Sequence, residues 1–144
     1  MRTIALRFAE IFAPPEGTIG AHDEVIRRVG YVWYGKMGTP LSQKVIESIM
    51  EQESLRILLI HSGGIDRYWA YIDDISRKKP KEFEYPDYYH DKADKVKTWF
   101  KVTRLELAPR GVMAECVVAS SSSVLSDASK RSMSPYFIII APDD

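Results

Sequence analysis

The chain has 144 residues, 45% of them apolar, and its 20 basic and 20 acidic side chains cancel to zero net charge. That length fits one domain with a real core, and the charge balance argues against a protein held on nucleic acid mainly by non-specific phosphate contacts. No apolar run reaches the ~18 residues of a membrane helix, and Arg2, Arg7 and Glu10 break up the N-terminus too early for a signal peptide, so a cytoplasmic protein without a membrane partner is expected.

In chain order, Thr3 to Phe8 alternates as a short strand and ends at Ala13-Pro14-Pro15-Glu16-Gly17. His22 to Val29 predicts a helix with Val25, Ile26 and Val29 on one side, closed by Gly30. Tyr31 to Gly38 is aromatic and β-branched, as in a strand. Thr39 before Pro40 predicts the N-cap of a helix whose apolar stripe includes Leu41, Val45 and Ile49. A central hairpin then spans Arg56 to Ile75. Its first arm, Ile57 to Ile60, is apolar without a break, which suits a strand buried on both faces. Gly63 and Gly64 are expected to supply the positive backbone angles of its turn.

From Ser76 to Lys97 the chain is polar and interrupted by Pro80 and Pro86, yet it carries Phe83, Tyr85, Tyr88 and Tyr89. So long an irregular segment within a compact domain points to function, and its aromatics argue against disorder. Thr98 to Leu107 alternates as a strand. Val112 to Ala119 fits strand or helix, Ser126 to Pro135 a polar loop or short helix, and Tyr136 to Ile140 a last strand. Cys116 is the only cysteine, which excludes an internal disulfide, and its apolar surroundings predict a buried, inert thiol. Strands outnumber helices: the fold class is mixed α/β (α+β), a mixed sheet or open barrel of five to seven strands flanked by two or three helices.

Enzyme chemistry is weakly represented. Asp73 and Asp74 are adjacent, so on a regular strand they point to opposite faces and cannot converge on one substrate. His22, His61 and His90 have no metal-ligand spacing, and no Gly-x-Ser-x-Gly or phosphate loop occurs. A binding protein without metal or cofactor is therefore expected, not an enzyme. Basic clusters lie at Arg77-Lys78-Lys79, at Lys92 to Lys101 and at Lys130-Arg131; such clusters are usually solvated surface.

The order of elements resembles the PUA-like superfamily, and within it the EVE and YTH domains and a related domain of McrB-type restriction proteins. The similarity rests on a strand closing on Trp33 and Lys36, a capped helix, the Leu58-Leu59-Ile60-His61-Ser62 strand end, an aromatic second arm, a tyrosine-bearing loop and Trp99-Phe100-Lys101-Val102. Lys36-Met37-Gly38-Thr39-Pro40 stands where EVE domains carry Lys-Ser-Glu-Pro, and Tyr88-Tyr89-His90-Asp91-Lys92 where they carry Tyr-Tyr-Asp-Pro-Lys. The first-loop glutamate and the usual arginine-rich ending are missing. The resemblance runs from Tyr31 onward, leaving 1–30 as an N-terminal extension packed on a single domain.

The resemblance implies recognition of a modified, chiefly methylated, nucleobase, flipped from DNA or single-stranded, with DNA favoured over RNA. It implies a pocket of Trp33, Lys36, Met37, Gly38, His61, Ser62 and the loop tyrosines Tyr85, Tyr88 and Tyr89, with Lys92, Lys130 and Arg131 on the backbone. Trp33, Trp69, Trp99 and His61 also suit plain core packing. A role in restriction or defence, with an effector on another chain or domain, belongs to the same reading. The alternatives are an ASCH-like ribonuclease, also PUA-like, and a protein-interaction or sensor module.

Overall fold

The computed structural model describes residues 1–143. Among these, seven strands form one mixed sheet: β1 (Arg2–Phe8), β2 (Val32–Lys36), β3 (Arg56–His61), β4 (Arg67–Ser76), β5 (Thr98–Leu107), β6 (Val117–Val118) and β7 (Tyr136–Ile140). Their order across the sheet is β2-β5-β4-β3-β1-β7-β6, with β1 and β3 parallel and every other pairing antiparallel. Helices α1 (Gly17–Val29), α2 (Gln43–Met50) and α3 (Leu125–Arg131) accompany it.

The unbroken apolar run of β3 has the cause its sequence implied, since the strand is interior and both faces are covered. Ile57 and Leu59 pack with Val25, Ile46, Ile49 and Phe100 on the side of α1 and α2. Leu58 and Ile60 pack with Trp69, Cys116, Leu125 and Phe137 on the other. Burial pushes the Cys116 thiol up to about 11, so it stays protonated at neutral pH.

The first correction concerns 1–30. β1 lies between β3 and β7, pairing Ala5 with Leu58 and Ile4 with Ile138, and is mostly buried. It is not an extension packed on the domain; removing it would split the sheet.

Local signals set several boundaries differently from the sequence expectation. α1 begins at Gly17 rather than His22, because the Glu10 carboxylate, reaching back from the preceding loop, accepts the Thr18 N–H at 3.0 Å. Gly30 ends it at φ 99°, its N–H bonded to Ile26 O. α2 is capped by Ser42, whose Oγ accepts from Val45 N–H at 3.2 Å, not by Thr39. The intervening Leu41 is buried, its N–H donated to Thr98 Oγ1.

In the hairpin turn only Gly63 has a positive φ, 79°. Gly64 is needed for space, since a Cβ there would sit 2.2 Å from His61 Nδ1. A bulge in β4 between Ile72 and Asp74 breaks the alternation and leaves both Asp73 and Asp74 exposed, where a regular strand would have divided them. The segment after Gly111 resolves into a 3₁₀ turn, Val112–Ala114, and the two-residue β6.

Between β4 and β5 the long tyrosine-bearing segment is ordered by three 3₁₀ turns, Glu82–Glu84, Asp87–Tyr89 and Ala93–Lys95. Tyr85, Tyr89, Ala93 and Val96 bury themselves against Trp99 as a third apolar cluster, with Trp33 and Tyr88 at its edge. No helix among the described residues is long and apolar enough to cross a membrane.

Candidate functional site

A cavity of about 260 Å³ opens where the end of β1, the end of β2 and the 3₁₀ segment meet. β2 places its floor. Side chains alternate along the strand, so Tyr34 and Lys36 face the cavity side while Trp33 turns to the opposite face, against the third cluster. Gly35, between them, leaves room for the loop. A Cβ there would meet Val96 at 3.0 Å and Tyr89 at 3.2 Å. Instead the Gly35 N–H donates to the Tyr89 hydroxyl at 3.2 Å.

That hydroxyl is one link of a buried chain. His22 Nδ1 lies 2.7 Å from Thr18 O and can only donate to it, so Nε2 accepts the Tyr89 O–H at 2.8 Å. That arrangement satisfies both nitrogens of the neutral ring. Desolvation pulls its pKa down to about 4, against a smaller upward pull from the Thr18 carbonyl. Burial also holds the Tyr34 and Tyr89 hydroxyls protonated far above the ordinary tyrosine range.

The walls are aromatic. Phe8 lines one side and is backed by His61, the two rings stacked at 5.1 Å and 4°. Tyr88 stands edge-on to Tyr89 at 4.9 Å and keeps part of its surface in solvent. At the mouth, Ile11 and Phe12 are 79% and 70% exposed, and Lys92 Nζ sits 4.1 Å from the Phe12 ring centroid and 5.6 Å from that of Tyr88.

The charged groups of the lining are all cations: Arg7, Lys36 and Lys92, with no Asp or Glu. The Arg7 guanidinium is committed to the carbonyls of Ser129, Ser132 and Ser134, which ties the end of α3 to the cavity rim. Lys36 is 6% exposed; its ammonium donates to Thr39 O at 2.5 Å and Met37 O at 3.4 Å and lies 4.6 Å from the Tyr136 ring centroid. Desolvation lowers its pKa, and among the described residues it has no carboxylate partner.

Of the residues singled out from the sequence, the cavity gathers Lys36, Met37, Tyr88, Tyr89 and Lys92. Gly38, in a left-handed turn at φ 81°, follows the lining without joining it. His61 and Ser62 stand behind Phe8, Ser62 N–H bonding Phe8 O at 2.7 Å. Tyr85 is 2% exposed and packs on Trp99, so it offers no free stacking face here. Lys130 and Arg131 are exposed on α3, Arg131 on a separate shallow groove with Arg2 and Ser121. Sequence reasoning missed Arg7, Phe8, Phe12 and Tyr34. The signal for Tyr34 was present, because it lies two positions from Lys36 and hence on its face. Among the described residues no three His, Cys, Asp or Glu side chains converge as a metal-ligand set.

The family model described as Pua-like matches residues 4–134. The chain belongs to the PUA-like family. No curated protein and no solved structure matches it. The matched span of this PUA-like domain begins inside β1 and takes in α1, in agreement with their place in the fold and against a boundary near residue 30. PUA-like domains typically bind nucleic acids, and the mixed seven-stranded sheet with its helices is consistent with that fold.

Proposed function

We propose that this PUA-like domain binds nucleic acid by taking a single nucleobase, flipped from DNA or already single-stranded, into the cavity between β1, β2 and the 3₁₀ segment. The observation that carries the reading is the cavity itself. At about 260 Å³ it falls just below the ~300–1,000 Å³ of drug-sized ligand sites, which suits one planar ring system. Phe12 and Tyr88 offer ring surface at its mouth and wall, and base–aromatic stacking contributes about 1–3 kcal/mol per base. The apolar lining favours a methylated base, since a buried methyl group gains about 0.8 kcal/mol. This is the EVE- and YTH-like reading, with DNA the favoured nucleic acid and an effector of restriction or defence supplied by another chain or domain.

Binding without turnover is part of the proposal. His22 is the histidine beneath the cavity; both its ring nitrogens are already engaged and its low pKa makes it a poor base. The test is a titration against short oligonucleotides, DNA and RNA, single- and double-stranded, carrying one modified or unmodified base, all at one salt concentration. A preference of about tenfold or more for one modified base supports the reading. Equal, salt-sensitive binding to every probe overturns it.

A further inference from the structure

The polar groups around the cavity are unevenly used. Among the lining residues, the backbone carbonyls of Phe8, Thr18, Met37, Tyr89 and Pro135 already accept hydrogen bonds, from Ser62 N, His22 Nδ1, Lys36 Nζ, Lys92 N and Arg7 N respectively. The Tyr89 hydroxyl already donates to His22 and accepts from Gly35. No carboxylate or side-chain amide lines the space. The donors are in the opposite condition. Lys36 has three ammonium protons for two carbonyls, one of them at a long 3.4 Å. Lys92 meets only the ring faces of Phe12 and Tyr88 among the described residues. The hydroxyls of Tyr34, Tyr88 and Thr18 serve either role and do not decide the matter.

We infer that the cavity selects its base by a keto oxygen rather than by an exocyclic amine, with Lys36 the principal reader and Lys92 the second. This rests on the base-pocket reading above and narrows its ligand to an oxo-bearing ring such as guanine, hypoxanthine or a 5-substituted uracil. A keto oxygen takes the spare Lys36 proton and brings acceptor density to a cation that no carboxylate balances. An exocyclic amine in the same place faces an ammonium group and finds only hydroxyls, and no carboxylate or side-chain amide, to accept from it, so it is the poorer fit. Sites built around a hydrogen bond reject the analogue that cannot make it far more sharply than apolar pockets reject a changed methyl group.

Hypoxanthine and adenine differ only in the six-position oxygen or amine and the N1 proton that goes with it, which makes them the natural pair. Single-stranded DNA with one central purine between abasic spacers confines recognition to the cavity. Hypoxanthine should bind the wild-type chain about tenfold or more tighter than adenine or N6-methyladenine. Lys36→Met, which keeps the aliphatic stem, should bring the two purines to near parity while thermal melting shows a folded protein; Lys92→Met, at the surface, should narrow the gap in part. Equal or adenine-favouring binding that Tyr88→Ala still weakens would overturn the keto selection and leave the base pocket standing. Binding to neither purine, or binding indifferent to Tyr88→Ala, overturns both.

Discussion

The Tyr89 hydroxyl donates to His22 Nε2 at 2.8 Å, and that one bond ties the tyrosine-bearing segment to α1 beneath the cavity. It can exist only while His22 is neutral. In the folded chain the His22 pKa is about 4, against about 6.5 unfolded. The unfolded state therefore binds more protons between these values. Stability is fully present above about pH 6.5 and is lost as the pH falls toward 4, by about 3 kcal/mol in total. The groups facing the ring are the aromatic hydroxyls of Tyr34, Tyr88 and Tyr89, none of which titrates in that window. Urea midpoints from pH 7.5 to 4.5 should fall more steeply for the wild type than for His22→Phe; parallel profiles would show that His22 is not the group responsible.

Tyr88 and Tyr89 are adjacent and should respond differently. Tyr88→Ala removes a half-buried ring at the cavity wall, and binding of a base should weaken by the about 1–3 kcal/mol of a lost stack, with stability lowered by only about 1 kcal/mol. Tyr89→Phe leaves His22 Nε2 and the Gly35 N–H without their partner, so it should cost about 1–3 kcal/mol of stability. Parallel thermal melts and titrations of the two variants decide it. Unchanged binding in Tyr88→Ala would contradict entry of the base into the cavity.

This pair also marks how far the sequence could be read. The strands from β2 to β5 and β7 announce themselves by alternation or by unbroken apolar runs, because period-two burial is written in adjacent residues. The floor residue Tyr34 was readable by the same rule, since Trp33 and Lys36 are an odd number of positions apart and cannot share a face. β1 gave no hint of its central place: parallel pairing with β3 joins residues more than 50 positions apart, and nothing local encodes it. The division among Tyr85, Tyr88 and Tyr89 was equally hidden. It depends on where the 3₁₀ turns press each ring against Trp99, a tertiary contact that composition does not carry.

Gly35 should tolerate no side chain. A Cβ would stand 3.0–3.2 Å from Val96 and Tyr89, both buried and fixed by Trp99 and by the Gly35 N–H bond. Gly35→Ala should therefore push the 3₁₀ segment off β2, costing about 1–3 kcal/mol and weakening base binding together. Chemical denaturation measures the first effect and titration the second. An alanine variant with wild-type stability and affinity would mean that the segment has more freedom than its packing shows.

Lys92 reports on the mouth. It is held only by ring faces, so Lys92→Gln should leave stability within about 0.5 kcal/mol of wild type. If its ammonium meets a phosphate or a base edge, affinity for a base-bearing strand should fall, and a phosphate contact alone would reduce the slope of log affinity against log salt by about one. Titrations across a range of salt concentrations separate the two. A variant indistinguishable from wild type at every salt would place Lys92 outside the contact.

The most direct measurement is a chemical-shift titration of the isotope-labelled chain with a single-stranded oligonucleotide carrying one central base between abasic spacers. A base entering the cavity should move the amides of Phe12, Gly35, Lys36, Met37, Tyr88 and Lys92 along one saturable curve, leaving Arg2, Ser121 and Arg131 still. Saturable shifts confined to that shallow groove between β6, α3 and β7, with the cavity amides unmoved, would contradict it.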